Sequence, residues 1–438
     1  MRTVLPLLCV LLICPRFAYA ADWPQFGGPT ADFKSPEKGP VLDWPATGPR
    51  RVWEVQAGEG YCNPTVAGGK LYLFDRRADH QRLRCLDART GAPSWTFEYA
   101  SDFEDMYGYD GGPRACPVVD GDRIYVLGPE GVLHCLSLAD GAVRWKLDTV
   151  REFNVVQNFF GVGAAPVIEG DLLIMQVGGS PPDSPPVGSG QTKGNGSGVV
   201  ALNKLTGEVV YSITDELASY SVPVLATINA RRWCFVLARG GLIGFEPASG
   251  KVDFHFPWRA RIVESVNAAN PVVVGDRVFI TECYGPGGAL LKVKPGGYEV
   301  IWKDPGNSRQ NVMACHWMTP IHLDGYLYGS SGRHTGNAEL RCVELETGKV
   351  MWSAPRTTRS SIIYADGYLV VLGEFGQLFV VKAQPSKFEL VAAYPRDDAH
   401  EPLVEYPAWA APVLSNGLLY LRGKGKMVCV ELIAGIAR

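Results

Sequence analysis

One phrase recurs along this chain: an apolar stretch opening on proline, a glycine turn, and a second apolar stretch. It reads "PTVAGGKLYLF" from Pro64, "PVVDGDRIYVL" from Pro117, "PVIEGDLLIMQ" from Pro166 and "PVVVGDRVFIT" from Pro271. "PIHLDGYLYGS" from Pro320 and "PVLSNGLLYLR" from Pro412 repeat it, and looser copies start at Pro223 and at Ile362, where the proline is missing. Successive anchors lie 42 to 57 residues apart. Eight copies at such a period indicate one radial or stacked repeat array, not a string of separate domains.

Each copy continues in the same way. A third apolar segment such as "LRCLDA" leads into a T-G-type turn, and a fourth segment ends four residues later on an aromatic. Those aromatics are Trp95, Trp145, Tyr211, Phe254, Trp302 (one residue later than the pattern) and Trp352. Glycine supplies the positive φ that a tight hairpin needs. Four short antiparallel strands per copy make one propeller blade. The eighth copy stops after three strands, and its missing phrase, "ATGPRRVWEVQ" with Trp53, stands at Ala46–Gln56. The expectation is an all-β, eight-bladed β-propeller of four-stranded antiparallel blades over 46–438, closed by that N-terminal strand, which removes the exposed edges. "GGSPPDSPPVGSGQTKGNGSG" at 178–198 reads as a hairpin loop. Residues 21–45 form an extension, which Trp23 and Phe26 are expected to pin to the outside of the ring.

Residues 1–20 read as a secretory signal: Arg2, an apolar run from Val4 to Cys14, then Ala18-Tyr19-Ala20 before the cut. The protein is therefore expected to be exported, periplasmic or extracellular. No later segment has the ~18 apolar residues of a membrane span. The formal net charge of −3 becomes −5 once Arg2 and Arg16 leave with the signal, which argues against nucleic acid as a partner. Cys85, Cys135, Cys342 and Cys429 sit in matching phrases and read as small buried residues. Cys62 and Cys116 begin consecutive repeats, and a disulfide between them is not favoured.

The phrase L-D-x-x-T-G-x-x-x-W, clearest at Leu86–Trp95, resembles the tryptophan-docking repeat of quinoprotein propellers. That group holds dehydrogenases using pyrroloquinoline quinone and cofactor-free relatives such as the propeller lipoprotein of the outer-membrane barrel-assembly machinery. The resemblance runs from about Trp23 to Ile436. It implies a blade-to-blade docking role for Trp53, Trp95, Trp145, Tyr211, Phe254, Trp302 and Trp352. The chain departs from the dehydrogenases in having no adjacent cysteine pair and no C-x-x-C-H haem motif.

The start of each first strand should open onto one mouth of the axis. Three positions before each anchor stand Tyr61, Arg114, Gly163, Tyr220, Ala268, Trp317, Arg359 and Trp409. One position later stand mostly small residues, from Cys62 to Ala410. Side chains alternate along a strand, so the two columns point oppositely. Tyr61, Arg114, Tyr220, Trp317, Arg359 and Trp409 are the candidate ligand-binding residues, able to stack on a planar or extended ligand. The same groups could instead plug a narrow axis.

Other motifs carry less. His316, His322 and His334 lack zinc-site spacing and read as structural. "GVGAAP" and "GKGK" lack the spacing of phosphate loops. Asp102, Glu104, Asp105 and Asp110 could hold Ca²⁺, but read as a solvated acidic loop. The sequence thus points to an exported binding or scaffolding module for a protein or small ligand at one channel mouth. On this reading it has no catalytic residues, metal or cofactor. The alternative is a divergent quinone-dependent alcohol or sugar dehydrogenase carrying pyrroloquinoline quinone and Ca²⁺.

Overall fold

The computed structural model describes residues 21–156, 159–306 and 310–435; the expected signal, 1–20, lies outside them. Eight sheets of antiparallel strands follow one another, and in each the order in space is the order in sequence except in the last. There the strand Arg51–Gln56 pairs antiparallel with Lys426–Glu431, so residues near the N-terminus complete the sheet written at the C-terminus. First strands of successive blades touch, as Thr65–Ala67 does Val118–Asp120, and so ring the axis. Among the described residues, no helix is long and apolar enough to cross a membrane.

The docking aromatics explain how blades stay in register. Each fourth strand carries a bulge, and in every blade but the seventh an aromatic just past it lands opposite a residue of the third strand. Those partners are Cys85 for Trp95, Cys135 for Trp145, Cys342 for Trp352 and Cys429 for Trp53. All nine cysteines among the described residues are buried and unpaired, Cys62 and Cys116 included. The indole then reaches the next blade: Trp53, Trp95, Trp145, Trp302 and Trp352 Nε1 donate to carbonyls of Ala88, Leu138, Lys204, Leu345 and Gln384. Tyr211 Oη donates to Pro247 O, and Phe254 packs edge-on against Tyr298, 5.2 Å away. Beneath these rings lie the next blade's turn glycines. A Cβ on Gly141 (φ +74°) would stand 2.7 Å from the Trp95 ring.

Blade 7 has no T-G phrase, and its docking position holds Ala392. Tyr394, two residues on and so on the same face, takes over: a Cβ on Gly48 of blade 8 would stand 2.6 Å from its ring. With Tyr394 the ring of contacts is unbroken.

The extension corrects the sequence reading. Trp23 is 1% exposed and pairs with Val66 on the first strand of blade 1. Val119 N donates to Pro24 O, and Lys34–Ser35 lies parallel beside Tyr364 and Ala365, adding a fifth strand to the axial side of blade 7. Glu37 accepts hydrogen bonds from the amides of Asn416 and Gly417 in blade 8. The segment therefore crosses the axis, not the rim, where it pairs with the free edge of a first strand and buries Trp23 and Phe33. Phe33, buried at φ +61°, holds a conformation that bulky residues adopt only when their surroundings impose it.

Candidate functional site

The first-column residues converge. Tyr61, Arg114, Gly163, Tyr220, Ala268, Trp317, Arg359 and Trp409 all line one axial cavity of about 560 Å³, within the usual size range of ligand pockets. Residues two further along, including Asn63, Cys116, Thr319 and Ser361, form its next layer, as strand alternation requires. The second column turns away between blades, except for Cys62 and Met318, which also reach the cavity. The axis is thus hollow and not plugged by its rings at this end. At the far end Phe26 and Phe33, edge to face at 5.0 Å, form the floor.

The wall is a chain of tilted rings. Tyr61 and Trp317 lie 4.9 and 5.5 Å from Trp409, centre to centre. Trp409 leads to Tyr109 at 5.6 Å, Tyr109 to Phe160 at 5.7 Å, and Phe160 to Tyr220 at 5.7 Å. On the other side Trp317 meets His316, and His316 meets Tyr284. Tyr107 and Tyr109 come from the connection between blades 1 and 2 and remain 48% and 46% exposed at the mouth. Asp105 shapes that connection by accepting from the Tyr107 amide, and Gly108 turns it at φ +75°.

Arginines are packed among the rings. Arg114 sits 5.2 Å from the Tyr61 centroid and pairs with the wholly buried Asp105 carboxylate at 2.8 Å. Arg359 lies 4.9 Å from Trp317 and 5.6 Å from Trp409, and its fork is held by the buried Glu374. Burial would raise Glu374, but the hydrogen bond and charge of Arg359 outweigh it and hold the carboxyl below its ordinary value. Arg333 stands 4.4 Å from the Tyr284 centroid. His316 hydrogen-bonds Tyr284 Oη at 3.1 Å. Burial, then the charges of Arg359, Arg333 and His334, push its pKa down to about 3, so the imidazole is neutral at physiological pH.

A sequence profile for the family described as outer membrane protein assembly factor BamB matches residues 79–354. The chain belongs to this family. BamB of Burkholderia pseudomallei (strain K96243) is 25% identical over 390 residues, which cover 85% of each chain. The serine/threonine-protein kinase AfsK of Streptomyces griseus is 27% identical over 197 residues, 44% of this chain and 21% of the kinase. Among solved structures, BamB from Moraxella catarrhalis superposes with a TM-score of 0.59 at 13% identity, covering 88% of this chain and 98% of that one. The computationally designed Ika8 protein gives 0.55 at 9% identity, over 87% and 100%. At such identities these two likenesses speak for the fold alone.

Within this BamB-family propeller the four acidic residues that the quinone alternative would offer to Ca²⁺ are not gathered around one point. Such an ion takes six to eight oxygens, several from carboxylates. Among the described residues no group of three or more His, Cys, Asp or Glu side chains could hold a metal. Asp105 and Asp110 close on Arg114 instead, at 2.8 and 3.6 Å, while Asp102 and Glu104 are exposed residues of the same connection. The loop is therefore a clasp on a wall residue.

Sequence reasoning missed Tyr107, Tyr109, Phe160, Glu264, Tyr284, Arg333 and the wall positions of His316 and His334. They belong to loops that share no repeat phrase. Only His316 carried a signal, because it directly precedes Trp317 in the first column.

Proposed function

We propose that this protein is an exported binding module that serves assembly at the outer envelope and recognises its ligand at the loop-bearing mouth of the axial well. The aromatic lining of that well carries the proposal: a cavity walled by tilted rings, open at one mouth, at the place where all eight blades meet. Family membership supports the scaffolding part, since the family is described as an outer membrane protein assembly factor. Residues 1–20 are its export signal, cut after Ala20; N-terminal sequencing of protein recovered outside the cytoplasm should begin at Ala21. The well needs no cofactor in this reading. Tyr61, Arg114, Tyr220, Trp317, Arg359 and Trp409 are its contact residues.

The test is a thermal-shift screen of small aromatic compounds against the wild type and Trp317→Ala/Trp409→Ala. A compound at a hundredfold its Kd stabilises by about 2.7 kcal/mol, and the double variant should lose that shift. Trp317 Nε1 donates to Ser361 and Trp409 Nε1 to Glu374, so the double change also perturbs the wall. Tyr109→Ala, at the exposed mouth, is the gentler companion and should weaken the same compounds. Shifts that survive all three substitutions would place binding elsewhere.

A further inference from the structure

We propose that the well takes an acid-headed ligand, one carboxylate on a flat or apolar body, with Arg333 as the anchoring cation. This rests on reading the well as a ligand site. Three guanidinium groups line it, each over a ring face: Arg114, Arg359 and Arg333. Arg114 is neutralised by Asp105 and Asp110, and Arg359 by Glu374. Arg333 is different: among the described residues no carboxylate lies within ion-pair distance of it. The carboxyl whose field it shares, Glu282, is turned to the Tyr284 amide, and burial pushes its pKa up to about 7.

The other charged residue on the wall, Glu264, is exposed on the connection between blades 4 and 5, where it acts on Arg239. The blade 5–6 side of the well therefore presents one guanidinium with no ion-pair partner among the described residues, beside a neutral imidazole and aromatic walls. One spare guanidinium matches one negative charge; a phosphate dianion would bring a second with nothing to balance it. The rings accept the apolar remainder of the ligand.

That chemistry has two sources, a free aromatic acid or the C-terminal carboxylate of a polypeptide ending in an aromatic residue. The experiment titrates the full mature chain, by calorimetry at low salt, with N-acetyltryptophan and its primary amide. A five-residue peptide ending in tryptophan follows, with a free or amidated terminus. Acids should bind at least tenfold tighter than amides, and Arg333→Gln should erase that ratio while Arg333→Lys keeps most of it. Thermal unfolding of both variants is compared to confirm folding. A preference shown by the peptide alone assigns the chain-terminus source, and one shown by the amino acid also assigns the free acid. Equal binding of acids and amides, lost in Trp317→Ala/Trp409→Ala, would overturn the acid head and leave the well standing. No binding by any probe overturns both.

Discussion

Replacing Arg51–Gln56 with glycine and serine residues of equal number is expected to abolish cooperative unfolding, not merely lower its midpoint. The strand supplies the outermost ladder of blade 8, the docking indole of Trp53 on Ala88 of blade 1, and that ring's packing on Tyr420 at 5.8 Å. Arg50, just before it, pairs with Glu431 at 2.7 Å. Without the strand, Lys426–Glu431 becomes an exposed edge, and blades 8 and 1 lose the contact that makes the array a ring. Unpaired apolar edges of this kind associate, so size-exclusion chromatography should show more aggregate for the variant than for the wild type. Adding the peptide Ala46–Gln56 in trans should recover part of the folded signal. A monodisperse variant with an unchanged melting curve would mean the ring is held by something other than its closing strand.

The second large effect is expected at Asp75, which has no solvent exposure. Its carboxylate accepts both arms of Arg82 at 2.8 and 2.9 Å, Arg84 at 2.9 Å and the Gly58 amide at 2.8 Å. Nearby, the buried Arg422 of blade 8 donates to the carbonyls of Cys62, Phe74 and Glu59. These groups fix the backbone on both sides of Tyr61, where the closing blade meets blade 1. Asp75→Ala strips the carboxylate from two paired, largely buried guanidiniums and should cost about 3–5 kcal/mol, read by denaturant unfolding. Burial alone would raise the Asp75 pKa, but the Arg82 hydrogen bond and the charges of Arg84 and Arg422 hold it below its ordinary value. A depressed folded pKa contributes stability that is complete above the unfolded value near ~4 and fades as pH falls through the folded one. The difference between wild type and Asp75→Ala should therefore shrink on acidification below pH ~4. A gap that stays constant down to pH ~2 would remove the carboxylate from the account.

Much of this molecule is written in local patterns. The eight copies of the phrase, seven of them led by proline, place the eight first strands, and the alternation of strand side chains selects Tyr61, Arg114, Tyr220, Trp317, Arg359 and Trp409 as axial. Where a pattern broke, reading failed. Blade 7 has no T-G turn, so Tyr394 went unseen as the docking ring on Gly48. The extension has no repeat at all, and Trp23 and Phe26 lie at the axis where the rim was expected. The acidic loop read as solvated holds its buried member, Asp105, against Arg114.

What the amino-acid order alone determined is the ring, its closure and the column facing the hole, because strand periodicity and turn chemistry act over a few residues and repeat eight times. Only the tertiary structure decided that the hole is a floored well, walled by Tyr109, Phe160, Tyr284 and His316, with Arg333 over the Tyr284 ring and in no ion pair among the described residues. Those loops carry no period, and closing the ring brings together residues more than 200 positions apart, such as Tyr109 and Trp409. Charge balance in such a place is a sum over neighbours that no local stretch of chain contains.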